Sequence, residues 1–478
     1  MEDLWVIMPE IVLASMACIG LILDLFLSKK NRVITYLYSQ LTLVVTAVAC
    51  WHFTVYGSTT TAFSGQFVAD PFAQISKLVI LIMMFLIFTY SRAYTRDRNI
   101  AFGEFHSLSL FCTLGMMFLV SANSLLMIYL GLELLSLPLY ALVAMQKDSR
   151  NAVEAGMKYF ILGALASGLM LYGMSLLFGL SGSIQLNDIA TWVHGAQGGQ
   201  LQVSLFALIF IIVGVAFKLG AVPFHMWVPD VYQGAPTSVT LMVGSAPKVA
   251  AFGMAYRLLH DALPGLSAEW TQILMVLAVL SLAIGNILAI AQSNIKRLFA
   301  YSTIAHVGFL FLGLLVAPIV GYGPAMYYIV TYALVAAAGF GILLMLSQGY
   351  EAERLEDLKG LASKNPWLAF MMLLVAFSLA GVPPTVGFYA KFMVLNALVD
   401  AGMTWLAALA VVFSVIGAYY YLKIVRVMYF EQPENAIAPV ASVDMRIILS
   451  VNGLAILGFG LFPAPLFMIC QNIFSSGL

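Results

Sequence analysis

The chain has 478 residues, of which 62% are hydrophobic and 9% are charged, and its 22 Lys and Arg residues balance 22 Asp and Glu residues. Because a soluble domain carries about 25% charged residues, this composition excludes a soluble globular protein and indicates one embedded in the lipid bilayer. The zero net charge excludes the overall basic character typical of nucleic-acid binding, so no nucleic-acid partner is expected.

Fourteen apolar segments are long enough to cross a membrane, at roughly 20 residues per span. Spans 1 to 14 are predicted at 4–27, 33–56, 72–92, 105–121, 123–145, 152–179, 202–231, 236–258, 269–291, 298–317, 321–348, 366–400, 403–427 and 446–469. Gly and Pro residues interrupt spans 7 and 12, which are therefore predicted to be broken helices. The expected fold class is an all-α polytopic membrane protein with about 14 transmembrane helices, two of them broken.

The distribution of Lys and Arg residues tests this number of spans. Sixteen of them fall at the loops that follow odd-numbered spans, whereas only Arg257 falls on the other side. Because cytoplasmic loops carry the excess of positive charge, those loops are predicted to face the cytoplasm, with both termini on the outer, periplasmic side of a bacterial inner membrane. The other five cationic residues lie within spans: Lys77, Lys158, Lys218, Lys248 and Lys391.

Four intramembrane charges lie too deep to reach the interface. At 1.5 Å per residue, Glu133, Lys218 and Lys248 each lie at least about 15 Å from the start of their helices, near the middle of a ~30 Å hydrocarbon core. Lys391 lies roughly 13 Å from the outer end of its helix. Ionisable residues at such depth are candidate functional groups.

Other charges lie nearer to helix ends. Lys158 is about two turns inside span 6, and Glu154 precedes it by four residues on the same face. Lys158 is therefore either a member of the functional set or half of an interfacial ion pair. Lys77, Glu10 and Asp24 are predicted to extend to the interface and are not included in the site.

The deep charges together favour a proton relay. One acidic side chain cannot neutralise three buried lysines, so a static pair between Glu133 and one lysine does not account for the set. Lysines in this setting are able to gain and lose a proton near neutral pH. Glu133, Lys218, Lys248 and Lys391 are therefore predicted to pass protons, with the charge of Glu133 modulating its lysine neighbours.

Two histidines are further candidates. His306 lies in span 10 beside Ser302 and Thr303, and imidazole titrates in the range that a relay requires. The alternative is a packing residue whose nitrogens are hydrogen-bonded. His225 follows Pro223 in the break of span 7, where it either controls the entry of water or caps the helix.

The two broken spans contain similar sequences, LGAVP at 219–223 and LAGVP at 379–383. Spans 7 and 12 run in opposite directions in the predicted topology, which indicates two inverted five-helix repeats with a transport site at the breaks. The predicted organisation is three N-terminal helices in 1–100, a first repeat in 101–262, a second, inverted repeat in 263–430 and a C-terminal helix in 431–478.

Several motifs together resemble one family. They are Glu133 in span 5, FKLGAVPFHMWVPDVYQGAP with Lys218, the Pro-Lys pair at 247–248, and SLAGVPPTVGFYAKF with Lys391. They are similar to the antiporter-like subunits of respiratory complex I, which are related to the large subunits of Mrp-type antiporters. Lys391 stands where another branch of the family has glutamate, and the chain stops at Leu478 without the long lateral helix of a further branch.

The resemblance implies a subunit that translocates protons while redox chemistry takes place elsewhere in NADH:quinone oxidoreductase. It implies that Glu133 and Lys218 form an ion pair, that Lys248 is the central relay lysine, and that Lys391 leads to the outer half-channel. The expected partners are other membrane-arm subunits of complex I, especially another antiporter-like subunit and small membrane subunits. The alternative function is that of a Na⁺/H⁺ antiporter subunit of the Mrp type.

No cofactor is expected on this chain. Its four cysteines, Cys18, Cys50, Cys112 and Cys470, show neither CxxC nor Cys/His spacing, and there is no Gly-rich nucleotide-binding motif. The resemblance instead implies that NADH, FMN, iron–sulfur clusters and quinone bind to partner subunits.

Overall fold

The structure, a computed structural model, describes residues 2–27, 33–53, 59–98, 100, 102–316, 318–347, 350–432 and 442–475. Three residues counted in the predicted cytoplasmic charge, Lys29, Lys30 and Arg32, lie outside the described residues. The predicted end of span 2, 54–56, lies outside them as well.

The described residues form 21 α-helices and a small hairpin. In chain order the helices are α1 (Glu2–Val6), α2 (Met8–Phe26), α3 (Val33–Phe53), α4 (Pro71–Asp97), α5 (Phe102–Val120), α6 (Leu125–Val143), α7 (Arg150–Ser181), α8 (Leu186–Gly195), α9 (Gly199–Leu219), α10 (Trp227–Gly234), α11 (Thr237–Gly244), α12 (Ala246–Tyr256), α13 (Ser267–Ile290), α14 (Ile295–Leu315), α15 (Pro318–Leu346), α16 (Leu361–Lys364), α17 (Pro366–Ala380), α18 (Val386–Asp400), α19 (Thr404–Phe430), α20 (Val443–Leu461) and α21 (Ala464–Ser475). A π-helical segment follows α12 at Arg257–Ala262, and short 3-10 turns lie at Pro264–Leu266 and Leu355–Leu358.

The predicted all-α membrane fold is confirmed. Among the described residues, 13 helices are long and apolar enough to cross a membrane. The remaining predicted span, span 12, consists of the two shorter helices α17 and α18. Some details differ from the prediction. Span 14 ends at Leu461, just before Pro463, and α21 follows as a separate helix; strands β1 (Thr60–Ala62) and β2 (Phe67–Ala69) form an antiparallel hairpin.

Both predicted helix breaks are present. Helix α9 ends at Leu219, and Gly220 follows it with a φ of 82°; helix α17 ends at Ala380, and Gly381 follows it with a φ of 86°. Glycine adopts this left-handed conformation without the steric cost that a Cβ atom would bring. Each break therefore ends a helix inside an apolar segment and leaves the carbonyl groups of its last turn in need of other donors.

Span 8 is also interrupted, at Ser245, which the sequence analysis did not predict. Ser245 has φ −123° and ψ −96°, between α11 and α12, and its hydroxyl donates to Leu241 O at 2.6 Å. Pro247 lies in the first turn of α12, where its lack of an N–H group removes a bond that would continue the helix from α11. Lys248 follows immediately, so this lysine also lies beside a helix break.

The chain forms two compact units. Unit 1 comprises Met1–Phe88, Asn99–Leu219 and Ala246–Ile273, and in it α5 packs along α6 and α7 along α9. Unit 2 comprises Thr89–Arg98, Gly220–Ser245 and Leu274–Leu478, and in it α15 contacts α11, α14, α17, α18, α20 and α21. The four-segment organisation and the inverted repeats remain predictions.

Candidate functional site

In unit 1, two of the predicted lysines meet at the end of α9. Lys218 is 6% exposed, and its Nζ donates to Ser136 Oγ on α6 at 2.7 Å. Lys248 is 1% exposed, and its Nζ donates to Leu219 O at 2.7 Å. Leu219 follows Lys218 directly and is the last residue of α9, so its carbonyl is one of those released by the break. The break thus supplies the acceptor for Lys248, one residue beyond Lys218.

Glu133 lies one turn before Ser136 on α6 and is half-buried. Among the described residues, no carboxylate oxygen lies within 4.0 Å of Lys218 Nζ, which contacts the Ser136 hydroxyl instead. The direct ion pair implied by the family resemblance is therefore not formed here. Residues three apart on a helix are neighbours, so Glu133 lies on the side of α6 whose Ser136 contacts Lys218.

In unit 2, Lys391 on α18 contacts the other break. It is 8% exposed, and its Nζ donates to Leu379 O at 2.9 Å, Ala380 O at 3.0 Å and Ser414 Oγ at 2.9 Å. The two carbonyls belong to the last residues of α17, before Gly381. Burial of a lysine head group is offset only when its N–H groups are hydrogen-bonded, and the break provides these bonds.

His306 lies in a hydrogen-bonded cluster of hydroxyl groups in unit 2. It is 8% exposed; its Nδ1 lies 2.6 Å from Tyr328 OH, and its Nε2 lies 3.1 Å from Tyr421 OH. The Tyr421 hydroxyl lies 2.5 Å from Ser302 Oγ. Both imidazole nitrogens therefore contact groups that can donate or accept a proton. Neither tyrosine was predicted from the sequence, because a tyrosine in an apolar span is usually a packing residue.

A small cavity separates His306 from the carbonyl that binds Lys391. The cavity lies within unit 2, and Ser378, Thr331 and Tyr332 provide polar groups on its wall. Its lining residues are His306, Tyr328, Thr331, Tyr332, Val335, Ser378, Leu379, Gly387 and Ala390. A water held there would have hydroxyl and imidazole partners. The cavity thus places His306 beside the last turn of α17, whose carbonyls accept hydrogen bonds from Lys391.

The other two candidates lie elsewhere. Lys158 is 45% exposed and pairs with Glu154 at 3.0 Å, four residues earlier on α7. This is the i,i+4 ion pair stated as the alternative, at the exposed surface of α7. His225 lies in the turn before α10; its Nδ1 is buried without a hydrogen-bond partner in the described part of the chain.

Two charged clusters of unit 1 are buried, contrary to the prediction from the sequence. Lys77 and Glu10 were predicted to reach the interface; this prediction is wrong, because they are 0% and 1% exposed and form an ion pair at 2.7 Å. The hairpin at 60–69 adds protein beyond the start of α4, where Lys77 was predicted to reach the interface. Arg257, assigned to an outer loop, is only 3% exposed and binds Asp70 at 2.9 Å and Asp261 at 3.0 Å.

Comparison with known proteins connects this geometry to a family. Residues 122–417 match the family model described as NADH:quinone oxidoreductase/Mrp antiporter, TM. The chain is 52% identical over 477 residues to NADH-quinone oxidoreductase subunit N of Herminiimonas arsenicoxydans, with 97% of this chain and 96% of the relative covered. This match agrees with the expectation drawn from Lys391, which stands where another branch of the family has glutamate.

Two solved structures share the fold. A chain of respiratory complex I from Thermus thermophilus superposes with a TM-score of 0.81 at 32% identity, covering 96% of this chain and 98% of that one. A chain of the Mrp complex from Dietzia sp. superposes with a TM-score of 0.86 at 20% identity, covering 99% and 96%. At that identity the second likeness concerns the fold alone.

Proposed function

Because the chain belongs to the family of membrane subunits found in NADH:quinone oxidoreductases and Mrp antiporters, we propose that Glu133, Lys218, Lys248, His306 and Lys391 carry protons through it. The chain is a proton-translocating membrane-arm subunit of NADH:quinone oxidoreductase, and it works as part of a complex with other membrane subunits.

The proposal rests on one observation, that the lysine head groups are hydrogen-bonded to neutral oxygen atoms and not to carboxylates. Among the described residues, Lys218 and Lys391 are hydrogen-bonded only to neutral oxygen atoms, of Ser136 in one unit and of Leu379, Ala380 and Ser414 in the other. A buried ammonium without a counter-ion is costly in a membrane, whereas hydroxyl and carbonyl acceptors stabilise it when it is protonated. Such a lysine can hold a proton and release it, which a lysine locked to a carboxylate cannot do readily.

In unit 1, the charge of Glu133 affects how readily Lys218 gains and loses its proton. Because it does not contact Lys218, its charge favours the protonated lysine without trapping the proton in a direct bond. A change in the separation or protonation of Glu133 then changes the proton affinity of Lys218. Lys248, whose Nζ binds the carbonyl of the residue after Lys218, is placed to respond to the charge on that lysine.

In unit 2, we assign the exchange of protons to His306 and Lys391. We assign the path between the imidazole and the α17 break to the tyrosine hydroxyls around His306 and to the small cavity that also touches Ser378 and Leu379. The left-handed glycine and the lysine at each break support the proposed inverted repeats in 101–262 and 263–430. The proposed orientation, with both termini on the periplasmic side, rests on the sixteen-to-one distribution of cationic residues.

Redox chemistry belongs to partner subunits in this proposal. NADH, FMN, the iron–sulfur clusters and quinone are assigned to other chains, so this chain receives its driving force through contacts with its neighbours in the membrane arm. His225 and Lys158 are assigned supporting places, at the break and at the surface of α7, and not in the buried path.

We predict that Glu133→Gln lowers proton translocation by the reconstituted complex about threefold without preventing assembly. The substitution removes one charge from a low-dielectric site and leaves the Lys218–Ser136 hydrogen bond in place. The measurement is the rate of lumen acidification in proteoliposomes driven by NADH and quinone, normalised to the amount of complex. Glu154→Gln, on the exposed ion pair, is the matched control and should leave the rate unchanged. Equal rates for Glu133→Gln and the parent would remove Glu133 from the proposal.

A further inference from the structure

A buried serine in the last turn of α17 binds the backbone of α18. Ser378 is 1% exposed, and its Oγ accepts a hydrogen bond from the N–H group of Gly387 at 3.0 Å. Gly387 lies in the first turn of α18, where N–H groups find no partner within their own helix. The residue just before a helix often supplies the acceptor, but here the hydroxyl of that residue, Thr385, donates to Val382 O at 2.7 Å. Ser378 therefore caps α18 from the other side of the break.

Glycine at position 387 allows the two helices to approach closely at this point. A Cβ atom there would lie 2.0 Å from Ser378 O and 2.7 Å from Ser378 Oγ. Such distances are too short for any side chain, so the backbone of the first turn of α18 rests directly against the last turn of α17. The hydrogen bond and the close approach together fix the start of α18.

This contact lies one helical turn from the head group of Lys391. Gly387 and Lys391 are four residues apart, which places them on the same face of α18. Ser378 directly precedes Leu379 and Ala380, whose carbonyls accept hydrogen bonds from Lys391 Nζ at 2.9 and 3.0 Å. Helix α18 is thus attached to the end of α17 at two levels, by its backbone at Gly387 and by the lysine side chain. All of these residues lie in unit 2.

A serine hydroxyl binds the backbone at the first break as well. Ser281 on α13 is fully buried, and its Oγ accepts a hydrogen bond from the N–H group of Val222 at 3.0 Å. Val222 lies between the end of α9 and the start of α10, and both residues of this pair lie in unit 2. A serine acceptor for a backbone N–H group is therefore a feature of both breaks.

We propose that Ser378 is a positioning residue for Lys391: its hydroxyl holds the first turn of α18 so that the lysine head group meets Leu379 O and Ala380 O. Without this acceptor, the N–H group of Gly387 is left unsatisfied in a buried place, and α18 shifts to relieve the cost. The shift carries Lys391 Nζ away from the two carbonyls, and proton exchange depends steeply on the separation of the groups involved.

This inference rests on the proposed role of Lys391, and a pair of variants at Ser378 tests it. Ser378→Ala removes the acceptor, whereas Ser378→Thr keeps a hydroxyl on the same carbon. In the reconstituted complex, Ser378→Ala should lower proton translocation about fivefold, and Ser378→Thr should keep most of the parent rate. Ser204→Ala is the control, because the buried Ser204 hydroxyl donates within its own helix, and it should leave the rate unchanged. The yield of assembled complex and the reduction of ferricyanide by NADH should be equal in all variants.

Combination with Lys391→Met separates positioning from packing. If Ser378 acts through Lys391, the addition of Ser378→Ala to Lys391→Met lowers translocation no further, because the two changes remove the same contribution. A further fall of about fivefold in the double variant, or an equal loss in Ser378→Ala and Ser378→Thr, would overturn the inference in favour of a packing role.

The single variants distinguish this inference from the proposed function. A parent rate in Ser378→Ala beside a low rate in Lys391→Met would reject the positioning role and leave the proposed function in place. A parent rate in Lys391→Met would overturn the proposed role of Lys391 and the positioning role of Ser378 with it.

Discussion

Replacing Lys218 with methionine should lower proton translocation by the complex at least about tenfold while the complex still assembles. Methionine has a similar length and fits an apolar site, so the packing of α9 against α6 is kept and only the amine is lost. The Ser136 hydroxyl, which already donates to Leu132 O, retains a hydrogen bond after the change. The measurement is proton uptake by proteoliposomes, alongside the yield of assembled complex from membranes.

Ser204→Ala is a suitable control for this variant. Ser204 is also buried in α9, where its hydroxyl donates to Gln200 O within the same helix, and it has no place in the proposed path. It should translocate protons at the parent rate. Loss of the assembled complex in Lys218→Met, with normal translocation by the fraction that remains, would instead make Lys218 a structural residue.

The second large effect is expected at Lys391. Lys391→Met should lower translocation about tenfold, because it removes the titratable group from the α17 break. Lys391→Glu should retain several times more activity than Lys391→Met. A protonated carboxyl can donate to Leu379 O or Ala380 O, and the charged form is disfavoured beside two carbonyl oxygens, so the substituted group still holds an exchangeable proton.

Proteoliposome assays of both variants, with assembly measured in parallel, check this order. Equal loss in Lys391→Glu and Lys391→Met would show that the positive charge matters and not the exchangeable proton. Full activity in Lys391→Met would exclude this break from the path of the proton.

Much of the fold follows from the sequence because membrane spans leave a strong signal. Long apolar segments predict the helices, and the Gly and Pro residues at 219–223 and 379–383 predict both breaks at the right places. The interruption at Ser245 was missed because only Pro247 indicates it, and a proline in the first turn of a helix is ordinary. The hairpin at 60–69 was missed because its strands are only three residues long.

The lysines of the site could be predicted, but their partners could not. Depth along a helix is readable from the sequence, and it singled out Lys218, Lys248 and Lys391. Which oxygen atom receives each Nζ depends on the faces that neighbouring helices present, and on backbone carbonyls that carry no sequence signal. The acceptors Leu219 O and Leu379 O are of this kind.

Lys77 shows that position along a helix does not always predict whether a lysine reaches the membrane interface. It begins about two turns from the start of α4, a distance from which a lysine usually reaches the interface. Its head group instead lies 4.8 Å from the ring centre of Phe67 in the hairpin and pairs with Glu10. Protein can extend past the end of a helix, and the sequence does not show where.

The most direct test of the account is the comparison of Lys218→Arg with the parent complex. Arginine keeps the positive charge and can donate to Ser136, but it does not lose its proton under physiological conditions. We predict that Lys218→Arg assembles and oxidises NADH with ferricyanide normally, yet translocates protons as poorly as Lys218→Met in proteoliposomes. Translocation at the parent rate by Lys218→Arg would contradict the account, because a fixed charge would then be sufficient at this position.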